Sequence, residues 1–269
     1  MTIPKTIVIK YGGNAMVNEE LKSEIIDRIA QLKSHGYHIV LVHGGGPFIN
    51  KILDKVALKS KFIGGHRKTT KEAMRYIEMA LKGEVNTGLV GLMNAKGVKA
   101  VGISGKDAGL VTTKKRYHIE ADSKVDLGQV ADVDEVNPQI LIDLINNGYL
   151  PVVACVAADK EGVSLNINAD MMAGALAGAL GAEYLVLTDV DGLRRDKDDP
   201  ASLMSQIRMS EIPELMKNVI VGGMIPKIES CQIALNAGSP RARIINGTKP
   251  DMLLKIMNEE VEVGTVIRK

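Results

Sequence analysis

Two lysines beside glycine turns are the residues best placed for charge chemistry in this sequence. Lys10 closes the run Thr6-Ile-Val-Ile-Lys-Tyr-Gly-Gly-Asn-Ala15, in which Ile7, Val8 and Ile9 read as a buried strand. The pair Gly12-Gly13 follows two residues later. Lys227 falls in the first turn of a helix opened by Gly222-Gly223-Met-Ile-Pro-Lys227. Glycines let backbone N–H groups close on an anion, and a lysine adds a full charge, so both stretches suit phosphate. A lysine at a helix N-terminus opposes the helix dipole, and a bound anion removes that conflict. Neither stretch is a Walker A loop, nor does Gly12-Gly13 belong to a Gly-x-Gly-x-x-Gly dinucleotide fingerprint.

Three further segments carry polar groups at strand ends. The strand expected over Tyr37–Val42 runs into His43-Gly44-Gly45-Gly46-Pro47, with Pro47 where the next helix begins. Three glycines in a row cost backbone entropy that a plain connection avoids, which marks Gly44, Gly45 and Gly46 as a cradle for substrate or anion. His43 reads as a neutral hydrogen-bonding group, since the five histidines are scattered and none stands at metal-ligand spacing from it. Phe62–Thr70 reads as a polar loop whose Arg67 either clamps a carboxylate bidentately or is simply solvated. In Leu165-Asn-Ile-Asn-Ala-Asp170, Asn166, Asn168 and Asp170 alternate and so share a face if the segment is extended. They line a site or cap the following Ala/Gly-rich helix, Met171–Leu180, with Asp170 as the candidate cap. Finally, a strand at Glu183–Leu187 leads into Thr188-Asp189-Val190-Asp191-Gly192-Leu193, the kind of strand-to-loop edge where α/β proteins bind nucleotides.

The elements between these segments alternate. Helical spacing covers Glu19–Ser34, with Leu21, Ile25, Ile26, Ile29 and Leu32 on one face and Gly36 as the stop. Helices are expected at Lys71–Lys82, Val85–Lys96, Pro138–Asn147 and Met252–Met257. Strands are expected at Lys99–Ile103, Leu110–Thr113, Leu150–Val156, Arg241–Ile245 and Val261–Ile267, with a hairpin or excursion over Arg116–Asp134. Strand–helix alternation predicts an open α/β sheet, mostly parallel, with helices on both faces.

Composition narrows the partners. The 269 residues carry a formal net charge of +2, with acids and bases interspersed, which gives no reason to expect nucleic acid or an acidic membrane. No apolar run reaches the roughly 20 residues that span a bilayer. Cys155 and Cys231 lie in apolar segments without a Cys-x-x-Cys, and no leader peptide precedes the first strand, so a reducing cytoplasm is the expected setting. Two Phe, six Tyr and no Trp argue against a site built on base stacking.

Assembled in order, six segments resemble the amino acid kinase family: Ile7-Val-Ile-Lys-Tyr-Gly-Gly13, Val42-His-Gly-Gly-Gly-Pro47, Gly65-His-Arg-Lys-Thr69, Leu165-Asn-Ile-Asn-Ala-Asp170, Leu187-Thr-Asp-Val-Asp-Gly192 and Gly222-Gly-Met-Ile-Pro-Lys227. The likeness spans nearly the whole chain and points to members that phosphorylate N-acetyl-L-glutamate. One segment departs: where such members usually read Gly-Leu-Arg-Val-Thr, this chain has Gly-His-Arg-Lys-Thr. The resemblance implies a sheet of about eight strands, ATP with Mg²⁺ held mainly by the nucleotide phosphates rather than by a protein metal site, and transfer to a side-chain carboxylate in arginine biosynthesis. It implies Lys10, Lys227 and Asp170 as catalytic residues. Gly44, Gly45, Gly46, Arg67, Asn166 and Asn168 would hold the acceptor. Gly12, Gly13, Thr188, Asp189, Val190, Asp191, Gly192, Leu193, Val219, Ile220 and Val221 would border the nucleotide. One domain is expected, with an acceptor-binding and dimerisation lobe over about 1–160 and a nucleotide lobe over about 161–269. Only Met1–Lys5 precede the first strand, too few for the extra N-terminal helix of arginine-sensitive hexameric relatives, so an arginine-insensitive homodimer is expected, with Val85, Leu89, Leu92 and Met93 as one candidate face. Two other readings remain: a kinase for carrier-protein-bound aminoadipate in lysine biosynthesis, and a non-catalytic nucleotide-binding module on the same fold.

Overall fold

The computed structural model describes residues 5–120, 123–256 and 263–269. In chain order these form β1 (Thr6–Tyr11), α1 (Glu19–Ser34), β2 (His38–His43), α2 (Gly46–Lys55), β3 (Lys61–Ile63), β4 (His66–Lys68), α3 (Lys71–Glu78), a π-helical stretch (Met79–Asn86), α4 (Thr87–Ala95) and β5 (Ala100–Ser104). There follow β6 (Val111–Glu120), β7 (Ser123–Val136), α5 (Gln139–Asn146), β8 (Leu150–Ala154), β9 (Val156–Ala158), β10 (Ser164–Ile167), α6 (Ala169–Ala179) and β11 (Glu183–Thr188). The remainder is β12 (Gln206–Arg208), α7 (Ile212–Asn218), α8 (Ile225–Asn236), β13 (Ala242–Asn246), α9 (Met252–Lys255) and β14 (Thr265–Arg268).

An eight-stranded sheet runs β12-β14-β13-β11-β1-β2-β8-β5. Its pairings are parallel except β13 against β14. The central strands are near-continuous apolar runs, as strands covered on both faces must be. Their side chains alternate between two cores. Val8, Val40 and Val42 pack with Ile49, Met74, Met172, Leu176 and Ile228, from α2, α3, α6 and α8. Ile7, Ile9, Ile39 and Leu41 pack with Ile25, Ile29, Leu89, Met93 and Leu253, from α1, α4 and α9. The strand order reverses between β1 and β11, which opens a crevice at the carboxyl ends of the strands, where open α/β sheets take their ligands.

A second sheet, β6-β7-β10-β9, carries the long β6–β7 hairpin, whose β7 lies beside α6 and α3. The expected strand Leu150–Val156 divides between the sheets, with β8 ending at Ala154 and β9 starting at Val156.

Three expectations need correction. Phe62–Thr70 is no plain loop, because β3 and β4 pair antiparallel and turn at Gly64 and Gly65, whose φ of 53° and 78° only glycine adopts easily. The helix pair expected at 71–96 is one continuous helical segment, since the π turn carries the backbone through Gly83 instead of breaking there. Its supposed docking face is internal: Val85, Leu89 and Met93 belong to the core with α1. The ends expected at Met257 and Val261 lie outside the described residues.

Candidate active site

Lys10 sits one residue before the end of β1 with its side chain 10% exposed, and its Nζ stands 3.1 Å from Asp170 Oδ1 in the first turn of α6. The cap of α6 is Asn168, whose Oδ1 accepts from the N–H groups of Asp170 (2.8 Å) and Met171 (3.3 Å). Asp170 is therefore not the cap, and Asn168 commits its carbonyl oxygen to the helix. This leaves the Asp170 carboxylate buried, attracted by the helix N-terminus and by Lys10.

Lys227 reaches the same cluster from α8. Burial lowers its pKa, Asp170 acts in the opposite direction, Lys10 reinforces the lowering and Asp189 opposes it. Small residues set the spacing of the two helices. A β-carbon at Gly174 would stand 2.4 Å from the Ser230 carbonyl oxygen, and one at Gly178 would stand 2.3 Å from Ala237 Cβ. Tyr184 Oη lies 3.1 Å from both the Asp170 carbonyl and Ser230 Oγ, its one hydrogen shared between them. Ser230 Oγ in turn donates to the Lys227 carbonyl at 2.7 Å. The backbones of Asp170 and Lys227 are thus tied through two buried hydroxyls. The Ala/Gly content of α6 serves this helix contact and the sheet beneath it.

Glycine loops flank the Lys10 ammonium. A β-carbon on Gly12 would come 3.1 Å from Lys10 Nζ and 3.9 Å from Gly44 N. Gly44 N–H donates to the Tyr11 carbonyl at 3.0 Å, joining the ends of β1 and β2. Gly45 precedes the first turn of α2 and lies against Leu81, so a β-carbon there would be 2.6 Å from Leu81 Cδ2. Gly13, with φ of 72°, closes the turn after β1.

Arg67 is buried on β4. Its Nη1 donates to Ser60 Oγ and its Nη2 to Asn50 Oδ1 at 2.7 Å, while the guanidinium lies 4.7 Å from the Phe62 ring centroid. Burial lowers its pKa and Asp54 opposes that. This is an aligned guanidinium facing neutral partners, which an incoming carboxylate can replace, and not a solvated side chain. The strand is pinned behind it: Thr69 N–H donates to the Leu127 carbonyl at 2.8 Å, and Asn166 Nδ2 reaches Thr69 Oγ1 at 3.4 Å. Asn166 and Arg67 thereby share one wall.

On the second-half side, Gly12, Thr188 and Asp189 line a small hollow with Gly247 and Thr248 at the ends of β1, β11 and β13. Asp191 lines another, of about 310 Å³, with Leu203, Asn246 and Lys249. Its carboxylate accepts from Lys249 Nζ (2.7 Å) and Asn246 Nδ2 (2.8 Å), which together with Arg194 hold its pKa below the usual carboxylate range. Val190 and Val221 are exposed. Leu193 and Ile220 are instead core residues, 2% and 1% exposed, so their side chains do not line this hollow. Gly192 has φ of 149° and lies against Thr265 Oγ1, which accepts the Leu193 N–H at 2.8 Å. A hollow of about 480 Å³ between α6, α8 and the β6–β7 hairpin is lined by neither lysine.

The crevice therefore concentrates positive charge and glycine backbone at strand ends. The amino acid kinase family model matches residues 5–246. The chain belongs to the amino acid kinase family. Within it, the acetylglutamate kinase of Pelotomaculum thermopropionicum is 46% identical, with 98% of this chain and 92% of that protein covered. The acetylglutamate kinase of Heliobacterium modesticaldum matches with the same identity and coverage. Among solved structures, a protein of Streptococcus mutans UA159 superposes with a TM-score of 0.79 at 29% identity, covering 98% of both chains. Giardia lamblia carbamate kinase, with a TM-score of 0.72 at 21% identity and full coverage of both chains, shares the fold.

Sequence reasoning gave no role to Asn50, Ser60, Tyr184, Asn246 or Lys249. Apart from Ser60, which lies close to Arg67 in the chain, each acts on a residue distant in sequence, and nothing in its own neighbourhood signals that.

Proposed function

We propose that this amino acid kinase is an acetylglutamate kinase, which moves the γ-phosphoryl group of ATP to the side-chain carboxylate of N-acetyl-L-glutamate in arginine biosynthesis. The observation that carries the reading is 46% identity across 98% of the chain to proteins of that name. Phosphoryl transfer asks a protein for positioning and for neutralisation of charge on the equatorial oxygens. In this reading Lys10 and Lys227 supply the charge from opposite sides of the crevice, and Asp170 holds the two ammonium groups in register. A carboxylate is already ionised at neutral pH, so the nucleophile needs no general base. Arg67 takes the acceptor's α-carboxylate as a two-pronged donor, beside Asn166 and the Gly44–Gly46 loop.

ATP lies across the carboxyl ends of β11 and β13, with Gly12, Gly13, Thr188 and Asp189 toward the phosphates. Asp191, Val190 and Val221 lie toward the nucleoside. Mg²⁺ bound with the nucleotide would supply further charge neutralisation, which suits a crevice whose Asp170 is already paired with Lys10. The seam between β1 and β11 divides an acceptor lobe, about 1–160, from a nucleotide lobe, about 161–269.

The working form is proposed to be a cytoplasmic homodimer. Gly83, Thr87, Gly88, Gly91 and Ala95 are exposed along the outer side of the helix over 71–95, and a second copy's backbone can approach such small residues closely. Light scattering tests this, and a monomer at micromolar concentration refutes it.

ADP release measured with N-acetylglutamate, glutamate, aspartate and aminoadipate tests the reaction. Turnover with N-acetylglutamate far above the others is expected, and preference for any other acceptor overturns the reading.

A further inference from the structure

His43 and Asn86 are both buried and neither has a part in the chemistry above. Asn86 Nδ2 donates to the Val152 carbonyl at 2.9 Å and faces His43 Nε2 at 3.0 Å, while its Oδ1 faces Lys82 Nζ at 3.3 Å. A lysine offers only donors, so the amide is oriented: oxygen toward Lys82, nitrogen toward the imidazole. His43 Nε2 must then accept, which places the ring proton on Nδ1. From there it is donated to the Gly44 carbonyl at 2.8 Å. Gly102 makes room for the arrangement, since a β-carbon there would lie 2.2 Å from Asn86 Oδ1.

The consequence falls on the next residue. In a trans peptide the C=O and the following N–H point in opposite directions, and the described backbone has no cis bonds. With the Gly44 carbonyl drawn to His43, the Gly45 N–H points away from it. Among the described residues that N–H has no intrachain acceptor, and it lies at the N-terminus of the ten-residue α2. The π turn, a geometry concentrated at functional sites, builds the rest of the support. It sets Leu81 and Val85 against Gly45, as well as Asn86 against His43.

We infer that Lys82, Asn86 and His43 form a positioning relay that fixes the imidazole as its Nδ1–H tautomer and so aims the Gly45 N–H at an oxygen of the acceptor. This deepens the acetylglutamate kinase reading and rests on it for the identity of the acceptor. Burial pushes the imidazole pKa down to about 4, with the Gly44 hydrogen bond opposing and Lys82 reinforcing, so the ring stays neutral over the working pH range.

The test compares three variants with the wild type. Asparagine places an N–H donor where histidine has Nδ1, so His43→Asn keeps acceptor KM within about threefold. His43→Leu raises it at least tenfold, with KM for ATP unchanged. Asn86→Asp sets a carboxylate beside Nε2 and raises the imidazole pKa. Below that pKa the ring donates from both nitrogens and Gly44 keeps its bond. Above it the proton stays on Nε2, the Gly44 bond is lost, and acceptor KM climbs with pH, a dependence absent from the wild type. Imidazole ¹⁵N spectra of the wild type read the tautomer whatever the acceptor. An Nε2–H ring, or equal acceptor KM for His43→Asn and His43→Leu, overturns the relay. Wild-type turnover with N-acetylglutamate, measured alongside, judges the proposed activity separately.

Discussion

The carbonyl oxygen of Ser230 occupies the space that a side chain at Gly174 would need, 2.4 Å from the position of the missing β-carbon. This contact sets how close α6 comes to α8, and so how close Asp170 comes to Lys227. Gly174→Ala brings opposing effects. A helix-interior alanine gains about 1 kcal/mol over glycine. Overpacking a filled core costs about 1–3 kcal/mol, and here the obstacle is backbone, which cannot rotate away. The clash wins. Urea unfolding is expected to show lower stability, and kcat to fall with it as the lysine cluster opens. A stabilised variant of full activity would show that the helix spacing does not matter.

The two lysines are expected to act mainly in the transition state. Lys10→Ala and Lys227→Ala should each lower kcat by about 10²-fold or more, since losing one preorganised charge-stabilising group costs about 3 kcal/mol. Steady-state kinetics on variants with native circular dichroism check this. Unchanged kcat in either folded variant removes that lysine from the mechanism.

The pH profile follows from the position of Lys227. On the proposed role the protonated amine is the working form, and burial places its pKa below that of an ordinary lysine while Asp170 acts to raise it. Activity is lost as pH rises through that lowered pKa, so the alkaline limb of kcat begins earlier than a surface lysine would give. Asp170→Asn removes the opposing charge and moves the limb further toward neutral pH. A limb that stays in place in this variant assigns the titration to another group.

Much of this site is legible in the sequence because its groups sit at strand ends, where an apolar run stops and a glycine or lysine begins. Lys10, Gly44–Gly46 and Thr188 stand there, and β1, β2 and β11 form where their apolar runs predict. What stays hidden is set by partners far along the chain. Asn168 and Asp170 both suit a cap, and only the geometry of α6 assigns that role to Asn168. The resemblance puts Leu193 and Ile220 at the nucleotide border, yet both side chains fall into the core. The π turn at 79–86 has no periodicity of its own, so Gly83 reads as a break that tertiary packing overrides.

Arg67 is expected to tell acceptor binding from nucleotide binding. Its guanidinium has two prongs on Ser60 and Asn50, which an acceptor carboxylate would replace on the proposed reading. Arg67→Lys keeps the charge and loses the fork. Loss of one charged hydrogen bond costs about 1.5–3 kcal/mol, so acceptor KM should rise roughly 10- to 100-fold. KM for ATP should stay within about twofold. Weaker ATP binding with unchanged acceptor KM would place Arg67 in the nucleotide half.

Glu183 offers a contrast at the opposite end of β11. It is 2% exposed and lies among three cations: Arg241 Nη2 at 2.9 Å, Lys5 Nζ at 3.3 Å and Arg243 Nε at 3.3 Å. Thr188, at the far end of the same strand, faces the crevice, so the length of β11 separates this cluster from the chemistry. Glu183→Gln keeps the shape and removes the negative charge that faces the three cations. Removing one partner of a buried ion pair costs about 3–5 kcal/mol. The variant should therefore unfold at markedly lower urea concentration. Below its unfolding transition, kcat and both KM values should match the wild type. A drop in kcat without loss of stability would mean that the two ends of β11 are mechanically coupled, and that the charge cluster tunes the site rather than the fold.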